Sequence, residues 1–413
     1  MDFQDILKQV RYRVVKKYGD LFLEDYENRE KKEEVIRRET REITGREDPG
    51  LEESVISYLI GLGPVEKYLY QPDVNEIMIN KKDEIWIEIS GREKERADVE
   101  FASDEELFSF VQRIVHRCGR RVNFNKPLVD ARLPDGSRVN IVVAPVSQNP
   151  VVTIRRFVVN YFNEKDLVDQ GYMSKEMATF FNYAVRGKLN IIVCGATGSG
   201  KTTFLRFLAS YIPKNERLIV IEDTRELALD HTHVVSLEAS DKASIYDLMV
   251  NALRMRPDRI ILGEVRGAEA FELLQAMGTG HEGSLTSLHA NFGKMEAVHR
   301  LVRAMIRIGG VKAEDLVPQI AETIDMTIFI KKLPNGKRRI THVTEVINKD
   351  GRPVFNDIYR YDYINEKHVA VGKLSDGLLE RMRENLLGEP LPAIAPFGKK
   401  TEGGKTCSVL HAL

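Results

Sequence analysis

The chain has 413 residues, of which 43% are hydrophobic and 30% charged, and its 61 basic and 62 acidic residues leave a formal net charge of -1. This length predicts two domains plus extensions, because single hydrophobic cores stop growing at smaller sizes. The near-neutral balance provides no overall attraction to nucleic acid or to an anionic membrane. The three cysteines (Cys118, Cys194 and Cys407) form no CxxC pair, which argues against a disulfide framework or zinc ribbon and favours a reducing compartment.

The N-terminal part predicts a charged extension followed by a small domain. Residues 1–51 show no signal-peptide pattern, and 24–48 are almost entirely charged, which indicates an exposed helix or a partly disordered arm. Residues 52–158 predict an α+β domain. In it, "VNEIMINKKDEIWIEI" is typical of a β-hairpin, and "DEELFSFVQRIVHRCG" predicts an amphipathic helix. The apolar face of that helix is expected to carry Leu107, Phe108, Val111, Ile114, Val115 and Cys118.

A linker at 159–173 is expected to lead into an α/β domain at 174–388. The pattern there starts with a helix (174–187), an apolar strand (190–194) and a glycine-rich loop, and strands and helices then alternate. Such alternation predicts a mostly parallel sheet with helices on both faces. The Pro-, Gly- and Lys-rich residues 389–413 predict a flexible tail. No apolar run approaches the roughly 20 residues of a membrane span, so a cytoplasmic location is expected.

The strongest motif is "GATGSGKT" at 195–202, which matches GxxxxGK[ST] between a strand and a helix. Such a loop cradles phosphate with backbone N–H groups. Lys201 is expected to reach the β- and γ-phosphates, and Thr202 to ligate Mg²⁺. ATP and Mg²⁺ are therefore the predicted ligands. The expected nucleotide-binding residues are Gly195, Ala196, Thr197, Gly198, Ser199, Gly200, Lys201, Thr202 and Thr203.

The loop alone leaves kinases, GTPases, transporters and motors open. An "NKKD" sequence (80–83) lies upstream in the predicted hairpin, no DxxG occurs between Thr203 and Ile340, and "LSGGQ" is absent. These observations disfavour small GTPases and ABC-type transporters.

Acidic residues and histidines flank three later strands. "RLIVIEDTRELAL" ends a strand at Glu222 and Asp223, and "RPDRIILGEVRG" delivers Glu264 near a strand end. "TGHEGSLTSLHAN" places His281 and His289 on either side of a strand. If these strands lie beside the P-loop strand, both glutamates and both histidines should point at the γ-phosphate. A metal-binding histidine pair is disfavoured by the spacing.

Taken in order, these motifs resemble those of the type II/IV secretion and type IV pilus ATPases, and most closely the tight-adherence (Flp pilus) assembly branch. "GLGPVEKYLYQPDVNEIMIN" and "DARLPDGSRVNIVVAPVS" are similar to the N-terminal domain of that branch. The resemblance implies a RecA-like P-loop ATPase domain after a PAS-like domain. It also implies that Glu264 and Glu222 act on water or Mg²⁺, with Asp223 as an alternative to Glu222. His289 is implied to sense the γ-phosphate and His281 to assist at a subunit interface.

The same resemblance implies a homo-hexamer in which arginines act on the nucleotide of a neighbouring subunit. The N-terminal domain offers Arg132, Arg138, Arg155 and Arg156, and the P-loop domain offers Arg266. The implied partner is an inner-membrane platform protein that transmits motion to pilins or secreted cargo. Membrane contact is then expected only through partners, at the cytoplasmic face of the inner membrane.

Three other functions stay open at this point. One is a RecA- or helicase-type nucleic-acid motor, although a near-neutral chain with a single tryptophan lacks the basic, aromatic channel expected of one. The second is a conjugative type IV secretion ATPase. The third is a nucleotide-gated scaffold that seldom hydrolyses ATP. Without CxxC pairs, the chain departs from the zinc-containing type II secretion branch.

Overall fold

The computed structural model describes residues 2–23, 29–89, 92–157, 162–240, 242–290, 293–309 and 312–398. The chain divides into two compact units, Met1–Val158 and Val159–Leu413. Among the described residues, no helix combines the length and the apolar character that a membrane span requires.

Packed helices open the first unit: α1 (Phe3–Leu23), α2 (Arg29–Thr44), α3 (Pro49–Ile60) and the short α4 (Glu66–Tyr70). Residues of α1 at helical spacing pack with α2 and α3 in a small core of Ile6, Val10, Val14, Ile36, Val55 and Ile56. Asp48 accepts the Leu51 N–H as the N-cap of α3. The charged segment is therefore a packed helix over 29–44 rather than a disordered arm, while residues 24–28 lie outside the described residues.

The rest of the first unit is an antiparallel sheet with a helix. Its elements are β1 (Val74–Lys81), β2 (Glu84–Ile89), β3 (Lys94–Arg96), α5 (Asp104–Arg117), β4 (Leu128–Arg132), β5 (Arg138–Val142) and β6 (Val151–Arg155). The strand order is β3-β2-β1-β6-β5-β4. Met78 pairs with Trp86, which confirms the predicted hairpin. One expectation about α5 is wrong: Phe108 is exposed, and Phe110 is the aromatic residue that the core buries.

The second unit contains a nine-stranded sheet. Its elements are α6 (Glu164–Asp169), α7 (Lys175–Arg186), β7 (Ile191–Gly195), α8 (Lys201–Ala209), β8 (Leu218–Glu222), β9 (Val234–Glu238), α9 (Ile245–Ala252), β10 (Arg259–Val265), α10 (Glu269–Gly278), β11 (Leu285–Leu288), α11 (Lys294–Met305), α12 (Ala313–Thr323), β12 (Met326–Lys332), β13 (Arg338–Lys349), β14 (Arg352–Asp362), β15 (Lys367–Ala370) and α13 (Asp376–Asn385).

The strand order in this sheet is β15-β14-β13-β12-β7-β11-β10-β8-β9. All pairings from β12 to β9 are parallel, and separate apolar cores cover the two faces, as the alternating pattern predicts. The strands β13 to β15 add an antiparallel extension that the sequence patterns did not predict.

Two predicted irregular segments are partly ordered. The linker prediction covers α6, whose capping box is formed by Asn163 and Asp166. The predicted flexible tail begins with residues that pack on the second unit, since Phe397 is buried with its ring 5.6 Å from that of Phe180. The tail prediction for 399–413 lies outside the described residues.

Candidate active site

The P-loop connects the fully buried strand β7 to α8 and presents a cradle for an anion. Gly200 has φ 97° at the N-cap of α8, a conformation that favours glycine. No described side chain caps this helix, so its first-turn N–H groups are available to a phosphate. Gly195 allows a close approach, because a Cβ there would lie 2.5 Å from the Ile330 carbonyl oxygen. Ser199 Oγ is buried and has no hydrogen-bond partner among the described residues.

Lys201 begins α8 and is largely buried. Its Nζ donates to the Ala196 carbonyl oxygen at 3.2 Å and lies 3.2 Å from His289 Nδ1. Burial lowers the pKa of Lys201, and the nearby Glu264 opposes that shift. Because an ammonium group can only donate, His289 Nδ1 accepts, and the proton of the neutral ring is on Nε2. Burial and the charge of Lys201 also lower the pKa of His289, in agreement with a neutral ring.

His289 connects the P-loop lysine to Glu264. Its Nε2 lies 2.9 Å from Glu264 Oε1, yet that buried oxygen has no well-aligned hydrogen bond from any residue described. The other carboxylate oxygen, Oε2, accepts from Arg266 at 3.0 Å, and Arg266 also binds Asp223 at 3.1 Å. Lys201, His289, Glu264 and Arg266 therefore form one contiguous chain at the carboxyl edge of the parallel strands. These residues fit ATP and Mg²⁺, because Glu264 Oε1 can still accept a hydrogen bond or ligate a cation beside the phosphate cradle.

Glu222, the last residue of β8, has a local structural role. Its Oε1 accepts the backbone N–H groups of Glu226 and Leu227, both at 2.9 Å. Burial raises its pKa to about 6 despite these two hydrogen bonds. Glu222 therefore holds the chain after β8, and its expected action on Mg²⁺ or water stays a prediction.

The structure corrects the expectation that both histidines point at one phosphate. His289 follows β11 and His281 precedes it, so they lie at opposite edges of the sheet. His281 Nδ1 lies 2.9 Å from the Pro257 carbonyl oxygen, at the amino end of β10. It therefore does not contact a nucleotide in the P-loop of its own subunit, and its role at a subunit interface stays a prediction.

Three of the arginine candidates lie on adjacent strands of the first unit. Arg138 pairs in register with Arg132 on one side and with Arg155 on the other, so the three side chains share a face. Arg155 is mostly exposed, and its Nε lies 3.9 Å from Glu76 Oε1. Arg156 does not belong to this group. Its guanidinium donates to the Val74 carbonyl oxygen at 2.9 Å and to that of Gln71, which indicates a structural role.

Sequence reasoning missed one residue at the P-loop. Arg338, the first residue of β13, donates from Nε to the Gly198 carbonyl oxygen at 3.0 Å. The basic hairpin "KKLPNGKRR" was the available indication, but only the pairing of β12 with β7 shows that it lies beside the loop.

A P-loop at the carboxyl edge of a mostly parallel sheet, with a lysine, histidine and glutamate in contact, defines a P-loop ATPase. Residues 59–352 match the family described as "Type II/IV secretion system protein", and the chain belongs to that family. It is thus an ATPase of the type II/IV secretion family.

Individual relatives come from several such systems. The conjugal transfer protein TrbB of Rhizobium radiobacter is 30% identical over 301 residues, covering 72% of this chain and 88% of the relative. The type IV secretion system protein VirB11 of Bartonella henselae is 30% identical over 336 residues, covering 71% and 94%. A crystal structure of the pilus retraction motor PilT with bound ADP matches with a TM-score of 0.51 at 17% identity, covering 78% of this chain and 85% of that one. This last likeness shows the fold alone.

Proposed function

We propose that the chain is a hexameric motor that hydrolyses ATP at subunit interfaces to power assembly of a Flp or type IV-like pilus, or of a related secretion apparatus. The observation that carries this proposal is the contiguous chain from Lys201 through His289 to Glu264. It connects the residue that binds phosphate to the residue expected to orient water. A change at the γ-phosphate therefore reaches the catalytic carboxylate through one side chain.

Each residue has a distinct part in turnover. Lys201 and the backbone N–H groups of 196–202 bind the phosphates, and Glu264 Oε1 orients the attacking water. His289 detects the γ-phosphate through its contact with Lys201. Mg²⁺, when bound, supplies neutralisation of phosphate charge, and Thr202, with Glu222 and Glu264 acting partly through water, would hold it.

Arg132, Arg138 and Arg155 complete the site of a neighbouring subunit. Their side chains share one face of the sheet, where the guanidinium groups can donate together to an approaching polyphosphate. An arginine that acts on a neighbour's nucleotide makes turnover depend on head-to-tail assembly, which closes into a ring. The partners are a platform protein of the inner membrane and, through it, pilins or cargo. Contact with the membrane at its cytoplasmic face occurs only through these partners.

Mixing two inactive variants tests this assignment. Lys201→Ala removes the phosphate ligand, and Arg138→Ala removes the donated arginine, so each pure protein should lose turnover. In a randomly mixed ring, about a quarter of the interfaces combine an intact P-loop with an intact arginine. Turnover should therefore return to about a quarter of that of the unsubstituted protein. Arg121→Ala, at an exposed arginine of the same unit, is the matched control and should keep full turnover. Mixed rings as inactive as the pure variants would refute action between subunits.

The relatives TrbB and VirB11 favour a second candidate, a conjugative type IV secretion ATPase. The two candidates share the catalytic site and differ in cargo. The deciding experiment is a Lys201→Ala replacement in the native host, with surface pili and DNA transfer both measured. Loss of pili alone supports the first candidate, and loss of DNA transfer alone supports the second.

A further inference from the structure

A cleft of about 860 Å³ lies within the first unit, separate from the residues assigned to ATP. Its apolar wall comes from Leu59, Ile60, Leu62 and Leu69, around α3 and α4. Its basic side comes from Arg29 and Lys32 of α2 and from Arg113, His116 and Arg117 of α5. The one carboxylate in the lining is that of Asp135. The volume is within the range of small-molecule sites, and the basic side predicts an anionic ligand.

Two arginines in this cleft form no hydrogen bond to a carboxylate of a described residue, although the charges of Glu106 and Glu66 act on Arg113. Arg113 Nε is buried and has no hydrogen-bond partner in the described part of the chain. Arg117, one turn later, donates to the Gly61 carbonyl oxygen at 3.3 Å and to that of Ile60. Arg29 differs, because its Nε binds Glu33 at 2.7 Å. Arg113 and Arg117 are like charges one helical turn apart, and such pairs repel each other.

The burial of Arg113 is only partly compensated by acidic residues. Burial is the largest cause that lowers the pKa of Arg113, followed by the charge of Arg117, and Glu106 and Glu66 only partly oppose this shift. A buried cation is normally paired with an acid, because removing it from water without a partner is unfavourable. An anion entering the cleft would supply a charged partner for both guanidinium groups, which can bind phosphate in a bidentate manner.

We propose that this cleft is a binding site for a phosphorylated small molecule with a ring system, the chemistry of a nucleotide. Arg113 and Arg117 bind the phosphate, and the leucine and isoleucine side chains cover the ring. Tyr70 lines the same cleft and is 68% exposed, so its ring is available for stacking.

The position of the cleft gives the ligand a route to the ATPase. Its lining includes Leu133, Pro134 and Asp135, the turn between β4 and β5. Those strands carry Arg132 and Arg138, so a ligand in the cleft would change the positions of the arginines that act on the neighbouring subunit. This regulatory consequence rests on the proposed function, whereas ligand binding itself does not.

Binding is tested in the full chain with Lys201→Ala, which weakens the P-loop site. The probe is GDP carrying a fluorescent N-methylanthraniloyl group, titrated to saturation and displaced with unlabelled GDP and with pyrophosphate. Arg113→Leu should weaken binding by about tenfold or more, since a charge-assisted hydrogen bond contributes that much. Arg113→Lys should retain part of the affinity. Arg121→Leu, at an exposed arginine outside the cleft, should change affinity by less than about twofold.

A second measurement separates ligand binding from a structural role. Without ligand, Arg113→Leu should melt at the same temperature as its parent or higher, because an apolar side chain replaces a partly buried cation whose burial is only partly compensated. Binding that is independent of Arg113, or lost equally in the Arg121→Leu variant, would overturn the proposal. So would a lower melting temperature of the unliganded Arg113→Leu chain. None of these readouts uses ATP turnover, so they stand apart from any failure of the motor assignment.

Discussion

Glu222→Gln separates the structural role of this residue from its charge. The buried carboxylate has a folded-state pKa of about 6 against an ordinary value of 4.5. The folded chain therefore binds the proton more tightly than the unfolded chain. The stability from this group is fully present below about pH 4.5 and is lost as the pH rises through about 6. Above that range the ionised group costs about 2 kcal/mol.

Glutamine keeps an oxygen that can accept the N–H groups of Glu226 and Leu227 but carries no charge. The unfolding free energy of the variant should match the parent near pH 4.5 and exceed it by about 2 kcal/mol at pH 8. For a unit of this size, that difference raises the melting temperature by about 4–8 °C. The assay is thermal unfolding followed by circular dichroism at both pH values. ATP turnover measured in parallel should fall if Glu222 also acts on Mg²⁺ or water.

The matched control is Glu238→Gln, at an exposed position that pairs in register with Glu222 on β9. The difference in unfolding free energy between Glu238→Gln and its parent should be similar at the two pH values. The reasoning from burial would be refuted if Glu222→Gln is less stable than its parent at pH 8. It would also be refuted if the unfolding free energy changes by the same amount at both pH values.

Three further outcomes are expected. Glu264→Gln should keep ATP binding, measured by fluorescent-nucleotide titration, and lose turnover by about 100-fold or more, whereas a nucleotide-gated scaffold would be unaffected. The pKa of His289 is lowered, so its ring should be neutral at pH 6.5, the ordinary pKa of histidine. Turnover should therefore not decrease with a midpoint at or above pH 6.5 as the pH is lowered. A pH–rate profile with such a midpoint would contradict the tautomer assigned to this ring. Gly195→Ala places a Cβ 2.5 Å from the Ile330 carbonyl oxygen and should destabilise the P-loop unit by about 2 kcal/mol or more in thermal unfolding. Gly377→Ala, where nothing lies within 4 Å, is its control, and equal stability of the two variants would show that the contact is unimportant.

The sequence was most informative where a local pattern determines geometry. The strand, loop and helix around Lys201 follow from residue types at fixed spacing, and the parallel pairing of β7, β11, β10 and β8 follows from alternating elements. That order brings His289 and Glu264 together beside the P-loop. The position of His281 could also have been inferred, because residues before and after one short strand lie at opposite edges of a sheet.

Other features depend on contacts between distant segments. The charged composition of α2 concealed a narrow apolar stripe around Ile36, which packs on α1 and α3. Helical spacing allowed either Phe108 or Phe110 to face the core, and only packing against the sheet selects Phe110. The Asn-Gly turn in "KKLPNGKRR" indicates that β13 pairs with β12, but the attachment of β12 beside β7 depends on distant contacts and could not be predicted.

That extension has a consequence for deletion mapping. The Arg338 guanidinium and the Gly198 carbonyl are 140 residues apart in the chain but in direct contact, at the seam where the sheet changes from parallel to antiparallel. Removing everything after β12 would free a long strand edge for aggregation and release one side of the phosphate loop. A C-terminal deletion that abolishes nucleotide binding would therefore report damage to this seam, and would not locate a ligand contact in the deleted segment.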